Sequence, residues 1–564
     1  MLTVYLTNSE KYSHKDMVGG RIMKKGIKKP LVVAAGFVLA GTVLSQTTAS
    51  ADKYKTINWT ETAPLSTMDP SKVTAAIDFD GLTATNDGLF RADKNDDPQP
   101  ALAESYTKSA DGLHYTFKLR HNLKWSNGDP LTAKDFVYGW QRTNDPKTGS
   151  QYAYLYSGIK NADAIQAGKE KDLSKLGVKA VDDNTLQVDL ERPLPQLVGM
   201  LPMAPFFPQN EAFVKKTGNN YGTQSKYLLS SGPYVQKDWN GSNDVVTYEK
   251  NPKYYDKDAV KTKKLVIKTI ADQNTGYNLY KSNTIDFTTL SPQQVTASRH
   301  NKAYTTIPSA TTAYLQLNEK TVPEFKNTNI RRAISYGIDR DVLTDKVLTG
   351  SATPATTFSA TKLVKDPNNG EDFSKSVTLK DAVSYDLPKA QKLFDEGLKE
   401  TGKKSLTVQL LVDDSDAAKR TSQYLQDQLQ HIKGLKVTIK TVPAKQRIQL
   451  SGEKQFQAVI SLWGADYPDP STFSDLYKAG ASFNEGSWNN KEYTDLIDKA
   501  NGPDVNNPKA RFNDYKQAEH IMSKEMGVVP LYYRSQAAFI RPSVKGMVTH
   551  PSGAPYDFKW AYKE

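Results

Sequence analysis

Side chains able to do covalent chemistry are sparse in this chain and poorly spaced for it. The histidines stand at 14, 114, 121, 300, 431, 520 and 550, with no pair at metal-binding helical spacing, and Glu519 and His520 lack the second histidine that a zinc peptidase motif requires. There is no cysteine, which removes thiol nucleophiles, thiolate metal sites and disulfides. No G-x-S-x-G turn presents a serine. Gly397 to Lys403 copies the first seven positions of a phosphate-binding loop, but Lys404 stands where a hydroxyl residue would hold magnesium. The context is also reversed, because this stretch follows a helix and leads into a strand. Gly402 reads instead as a helix C-cap. Asp413, Asp414 and Asp416 lack the glycine and terminal glutamate of a calcium loop, and Ser415 or Asp416 serves as a helix cap. The expectation is a protein with no catalytic residue, no metal and no cofactor.

One carboxylate is set differently. Asp466 follows Trp463, Gly464 and Ala465, after a strand read as Ala458 to Ser461, and Pro468 and Pro470 keep this stretch from continuing as a helix. An acidic side chain is left at a strand end.

The elements that must position it alternate between helical and strand periodicity almost to the C-terminus, which argues for a mixed α/β body. Thr132 and Asp135 form a capping-box pattern ahead of a helix whose Phe136, Val137 and Trp140 share a face. From Asn329 to Val342, Ile330, Ala333, Ile334 and Ile338 fall on one side, with Arg331, Arg332 and Arg340 elsewhere. Then come a capped helix from Asp386, a strand Leu406 to Val412, a helix Ser415 to Ile432 and a strand Leu435 to Val442, which together read as a parallel βαβ unit. Lys509 to Glu525 reads as a helix and Val528 to Ile540 as a strand.

At the other end, a basic cluster (Arg21, Lys24, Lys25, Lys28, Lys29) precedes an apolar run from Leu31 to Ser45 and the small residues Ala49, Ser50 and Ala51. Those are the regions of a secretory signal in order, with cleavage expected after Ala51 and Met17 or Met23 as alternative starts. The full chain of 564 residues carries 74 Lys and Arg against 62 Asp and Glu, and the signal holds seven of the basic and two of the acidic side chains. A mildly basic body remains, its lysines interleaved with aspartates rather than gathered in a nucleic-acid motif. Weak association with anionic wall or membrane-surface polymers is the electrostatic expectation.

Two runs are distinctive: Leu123 to Trp140 (LKWSNGDPLTAKDFVYGW) and Ser461 to Pro470 (SLWGADYPDP). They resemble the solute-binding proteins of the peptide/nickel branch of ABC importers, especially extracellular oligopeptide-binding proteins. Ser231 to Tyr234, Asn251 to Tyr255, Asn329 to Ala333 with Ile338 to Arg340, and Pro530 to Tyr533 support the resemblance, which runs from about Thr56 to the C-terminus. In the first run, Trp125 is expected to close a strand, Asn127 and Gly128 to turn, and Thr132 to cap a helix, with no ligand contact.

The resemblance implies a two-lobed α/β periplasmic-binding-protein-like clamp with an additional inserted subdomain. Lobe one would comprise 52–90, 206–306 and 529–564, the insert 91–205, and lobe two 307–528. It implies short peptides as ligands and a permease with ATPase subunits as partners, the receptor itself being monomeric. Asp466 would pair with a peptide's α-ammonium group while backbone around Trp463, Gly464 and Ala465 bonds the peptide as an added strand. Thr74, Ala75 and Ala76 would oppose it, and Tyr152 and Tyr234 would line the cleft. Two positions depart from relatives. Thr42 follows Leu39, Ala40 and Gly41 where a lipid-bearing cysteine is usual, and Ile460 stands where some enterobacterial relatives carry an arginine that receives short peptides' carboxylates.

Overall fold

The computed structural model describes residues 56–564, so the expected signal segment lies outside the described residues. Three sheets organise the rest, each with its own apolar core. The first has the strand order Thr56–Glu61, Lys264–Thr269, Val245–Lys250, Tyr234–Lys237. Its first pair is parallel and the others antiparallel. Alternate side chains (Ile57 and Trp59, Val246 and Tyr248, Leu265 and Ile267) turn into a core shared with Phe287 and Phe558. Trp59 stacks flat on Phe287 with ring centroids 3.9 Å apart, an arrangement that adds to the apolar area both rings bury.

The second sheet, Ala103–Lys108, His114–Leu119, Thr185–Asp189, Val178–Asp182, is antiparallel throughout and falls within the expected insert. The helix Ala133–Asn144 packs on it. Its capping box forms as the sequence predicts, with the Asp135 carboxylate accepting from the Thr132 amide at 2.7 Å. Phe136 and Trp140 are fully buried. Trp125 does not close a strand; it lies in a loop beyond Leu119, its indole N–H reaching Asp135 at 3.3 Å.

The third sheet has seven strands, in the order Phe287–Thr289, Val529–Ile540, Tyr304–Leu317, Ala458–Gly464, Leu406–Asp413, Leu435–Val442, with Ala352–Pro354 added on Val529–Ile540. Leu406–Asp413 and Leu435–Val442 pair in parallel through all eight residues, joined by the helix Asp416–Gln430. The two long strands Tyr304–Leu317 and Val529–Ile540 pair antiparallel, with a register break between Pro308 and Thr312. On one side of that break their residues pack with the Tyr280 and Leu290 cluster. On the other side Leu315, Val529 and Leu531 enter the core of the parallel unit. Val529, Leu531 and Tyr532, expected from sequence to begin the return to lobe one, pack in the core that residues 313–460 build, and Tyr533 packs in the cluster of Phe358 and Tyr477.

Arg331 and Arg340 differ from the amphipathic reading. Both are buried, at 3 % and 5 % exposure, because their donors serve main-chain carbonyls. Arg340 Nε donates to the Pro530 oxygen at 2.7 Å and Nη1 to that of Val383 at 2.9 Å. Arg331 Nη1 donates to the Phe325 oxygen at 2.7 Å. Arg340 also donates to the Ser335 oxygen at 3.1 Å, so it ties the end of the Thr328–Tyr336 helix to the strand Val529–Ile540.

Candidate ligand-binding site

The strand Ala458–Gly464 runs three residues beyond the expected Ser461, so Trp463 and Gly464 lie within it. One edge pairs with Thr311–Leu317 along its whole length. The other edge meets Leu406–Asp413 only at Ala458 and Val459. From Ile460 to Gly464 that edge has no strand beside it among the described residues, and an unpaired strand edge is a template for an extended chain. Ile460 itself points into the core with Leu315 and Leu410, 2 % exposed.

Past Gly464 the chain is pinned. The Ala465 amide donates to the Ala310 oxygen at 2.8 Å and the Asp466 amide to Thr472 Oγ1 at 3.1 Å. Three residues on, Asp469 is held by Arg511 in a buried two-bond fork, both contacts 2.7 Å. Burial alone would raise the Asp469 pKa, but Arg511 outweighs it and holds the carboxyl below its ordinary range. Asp466 has no such partner: no cation pairs with it among the described residues, burial pushes its pKa up, and only the Tyr154 hydroxyl, within bonding reach, counters that. A partly desolvated carboxylate without a counter-ion is suited to an incoming cation.

The opposing segment is set from the other side. Arg142, on the Ala133–Asn144 helix, clasps Asp69 with bonds of 2.7 and 2.6 Å, and the Val73 amide donates to the Asp69 oxygen at 3.1 Å. Thr74 and Ala76 are exposed and Ala75 half-buried. Ala75 is extended (φ −92°, ψ 143°) and is the N-cap of the helix Ala76–Thr85. Its carbonyl accepts from Asp78 and Phe79, while the amides of Thr74, Ala75 and Ala76 donate to no carbonyl among the described residues. The helix that the long motif opens therefore holds this segment through Arg142 and Thr143, just past Trp140.

An aromatic series connects the two sides. Phe79 meets Tyr152 edge-on at 5.5 Å, Tyr152 stacks on Tyr154 at 5.9 Å, and Tyr154 reaches Asp466. Asp466 is near enough for its charge to add to burial in raising the Tyr152 pKa, but the Tyr152 ring packs on two apolar cores and Tyr154 rather than Tyr152 lines the cavity. Tyr154, Trp463, Asp466 and Phe483 line a cavity of about 540 Å³ that Asp475 and Arg192 also border. Trp463 stands edge-on to Phe483 at 4.8 Å, and its indole N–H is buried without an acceptor among the described residues. Gln196 borders both this cavity and a neighbouring one of about 660 Å³.

Tyr234 does not line a cleft. It is fully buried in the core of the first sheet, its hydroxyl donating to the Phe558 oxygen at 3.2 Å. It opens the strand that Ser231 to Pro233 lead into, and Asn251 clasps the same turn through Gly232 at 2.9 Å, so two of the distinctive motifs touch each other and serve the fold. Tyr154, Phe483, Asp475 and Arg192 escape a reading of the sequence, in which none stands beside a motif that points to the cavity. Tyr154 carries the one available cue, since Tyr152, Tyr154 and Tyr156 alternate in a short turn. Among the described residues no group of three or more His, Asp or Glu is placed to hold a metal.

Residues 97–485 match the family model of bacterial extracellular solute-binding proteins, family 5 Middle. The chain belongs to that family. It is similar to a dipeptide-binding protein of Lactococcus lactis subsp. cremoris, 36 % identical over 93 % of this chain and 97 % of the relative. Among solved structures it is similar to Listeria monocytogenes OppA bound to peptide (38 % identity, TM-score 0.70, 90 % of this chain and 99 % of that one). It also resembles the MppA periplasmic murein tripeptide binding protein in its unliganded open form, at 27 % identity and TM-score 0.77 over 91 % and 98 % of the two chains. The fold is that of the periplasmic-binding-protein-like clamps, and this family member is a binding protein rather than an enzyme.

Proposed function

We propose that this protein is exported, captures short peptides between its lobes and delivers them to the permease and ATPase subunits of an ABC importer. The observation that carries the reading is the unpaired edge Ile460–Gly464 ending on the uncompensated carboxylate of Asp466. Main-chain bonds to such an edge ignore side-chain identity, so one site accepts many sequences. The ammonium–carboxylate pair then fixes where the peptide begins. Free amides at Thr74, Ala75 and Ala76 supply donors from the facing side, and the orphan Trp463 N–H supplies one more. Tyr152 lies between them. The names of the relatives, a dipeptide-binding protein and a peptide-bound OppA, support peptides over other solutes.

The lobes proposed are those expected from sequence, except that Val529 to Tyr532 go with the core of lobe two, and the hinge proposed is the register break between Pro308 and Thr312. Cleavage after Ala51 and retention at the surface by charge or by the transporter complete the reading. Calorimetry with one tripeptide, free and N-acetylated, tests it. Acetylation and, separately, Asp466→Asn should each weaken binding by about 2–5 kcal/mol if the charge pair is desolvated. Equal affinity for free and blocked peptide sinks the assignment.

A further inference from the structure

The cavity beside Asp466 carries more charge than an ammonium site needs. Resting on the reading above, we infer that it is the chamber for the peptide's first side chain and that Asp475, on its wall, selects peptides beginning with lysine or arginine. Asp466 and Asp475 are the acidic groups bordering the cavity. Once an α-ammonium neutralises Asp466, Asp475 is left. Asn501 donates to its Oδ1 at 2.9 Å, and its other oxygen carries no bond among the described residues. Lys478, the cation on its own stretch of chain, is taken by Asp498.

Burial pushes the Asp475 carboxyl up to about 6, raised further by Asp469 and opposed by Asn501 and by the nearby cations Lys478 and Arg511, whose own ion pairs are with Asp498 and Asp469. That leaves it ionised at neutral pH without an ion pair of its own. Tyr154, Trp463 and Phe483 form a wall along which the aliphatic stem of a long cationic side chain can lie and against whose faces a guanidinium or ammonium is attracted. Arg192 is the cation that borders the cavity. It is exposed, with Nη2 at 3.3 Å from Ser157 Oγ and 3.5 Å from the Ser157 carbonyl. Charge at an exposed rim is screened by solvent and salt, whereas charge in a recess is not. Asp475 therefore outweighs Arg192 in selecting the side chain.

The test is the affinity of the purified protein for Lys-Ala-Ala, norleucine-Ala-Ala, Ala-Ala-Ala and Glu-Ala-Ala. Lysine first should exceed norleucine first by about tenfold, the size of one modest charge pair, with glutamate weakest. Asp475→Asn should bring the lysine-to-norleucine ratio close to one, at a thermal midpoint that shows the protein folded. A wild-type ratio near one, or glutamate first as the tightest, overturns the inference without need of any variant. So does a ratio that survives Asp475→Asn. N-acetylated forms separate the two readings. A lysine preference retained without an acetylation penalty supports the chamber and removes the ammonium role from Asp466. An acetylation penalty with no lysine preference leaves Asp466 in place and removes the chamber.

Discussion

A carboxyl group held away from water without a cation shifts toward its neutral form, and two such places in this molecule contrast. At Asp466 the shift comes from burial with only Tyr154 opposing it, beside the cavity in which a ligand's charge is proposed to sit. At Glu61 and Asp80 it is internal. Glu61 Oε1 and Asp80 Oδ2 are buried without partners among the described residues, both border one small recess, and burial pushes the Glu61 carboxyl from its ordinary 4.5 up to about 8. Asp80 is raised as well, first by burial and then by Glu61. Folded protein thus holds protons between pH 4.5 and 8 that unfolded chain releases. The resulting stability is full below 4.5 and is lost as pH rises through 8. Glu61→Gln should flatten that loss, raising stability relative to wild type by on the order of 2 kcal/mol at pH 9 and little at pH 5. Thermal melts across that range check it; a constant offset at every pH would remove the pair as its cause.

At the scale of elements, the helix Pro508–Glu525 does more for the site than its distance in sequence suggests. Arg511 grips Asp469 just past Asp466, and Glu519, two turns further on, accepts the amides of Phe358 and Ser359 at 2.8 and 3.0 Å. One helix therefore fixes two irregular segments that no strand supports. Arg511→Ala leaves Asp469 charged, buried and unpaired. It should cost about 3–5 kcal/mol in urea unfolding and weaken peptide binding by loosening the turn that carries Asp466. A loss below 1 kcal/mol would show the fork to be dispensable. This division also explains what a reader of the sequence can see. The capping box at Thr132 and Asp135, the αL cap at Gly402 (φ 68°) and the parallel Leu435–Val442 strand are legible because their causes lie within a few residues. The burial of Arg340 is not, because its acceptor on Pro530 is 190 residues away. Asp466 is legible as an acid at a strand end. Its partner Tyr154 is not, because only the meeting of two distant parts of the chain brings them together.

For the whole molecule, the two strands that pair across the register break are the route by which residues 304–317 and 529–540 pass from one core to another. A rotation concentrated at Pro308–Thr312 would move the Trp463–Asp466 side against the Thr74–Ala76 side while leaving each core intact. Because the chain has no cysteine, two introduced thiols take fluorophores at known places. Tyr106 and Val342 are 43 % and 38 % exposed and belong to the insert and to the region beyond the hinge. Labelled there, the protein should shift to a second transfer efficiency at saturating peptide; an unchanged distribution argues against closure. The open edge at Ile460–Gly464 has a further effect in the empty receptor. On the proposed binding mode such an edge does not distinguish peptide from a neighbour's unfolding chain, so absence of peptide is also exposure to self-association. Free tripeptide should therefore prolong the soluble lifetime of the warmed protein beyond what its shift in melting midpoint explains, and light scattering at matched unfolded fraction measures the difference.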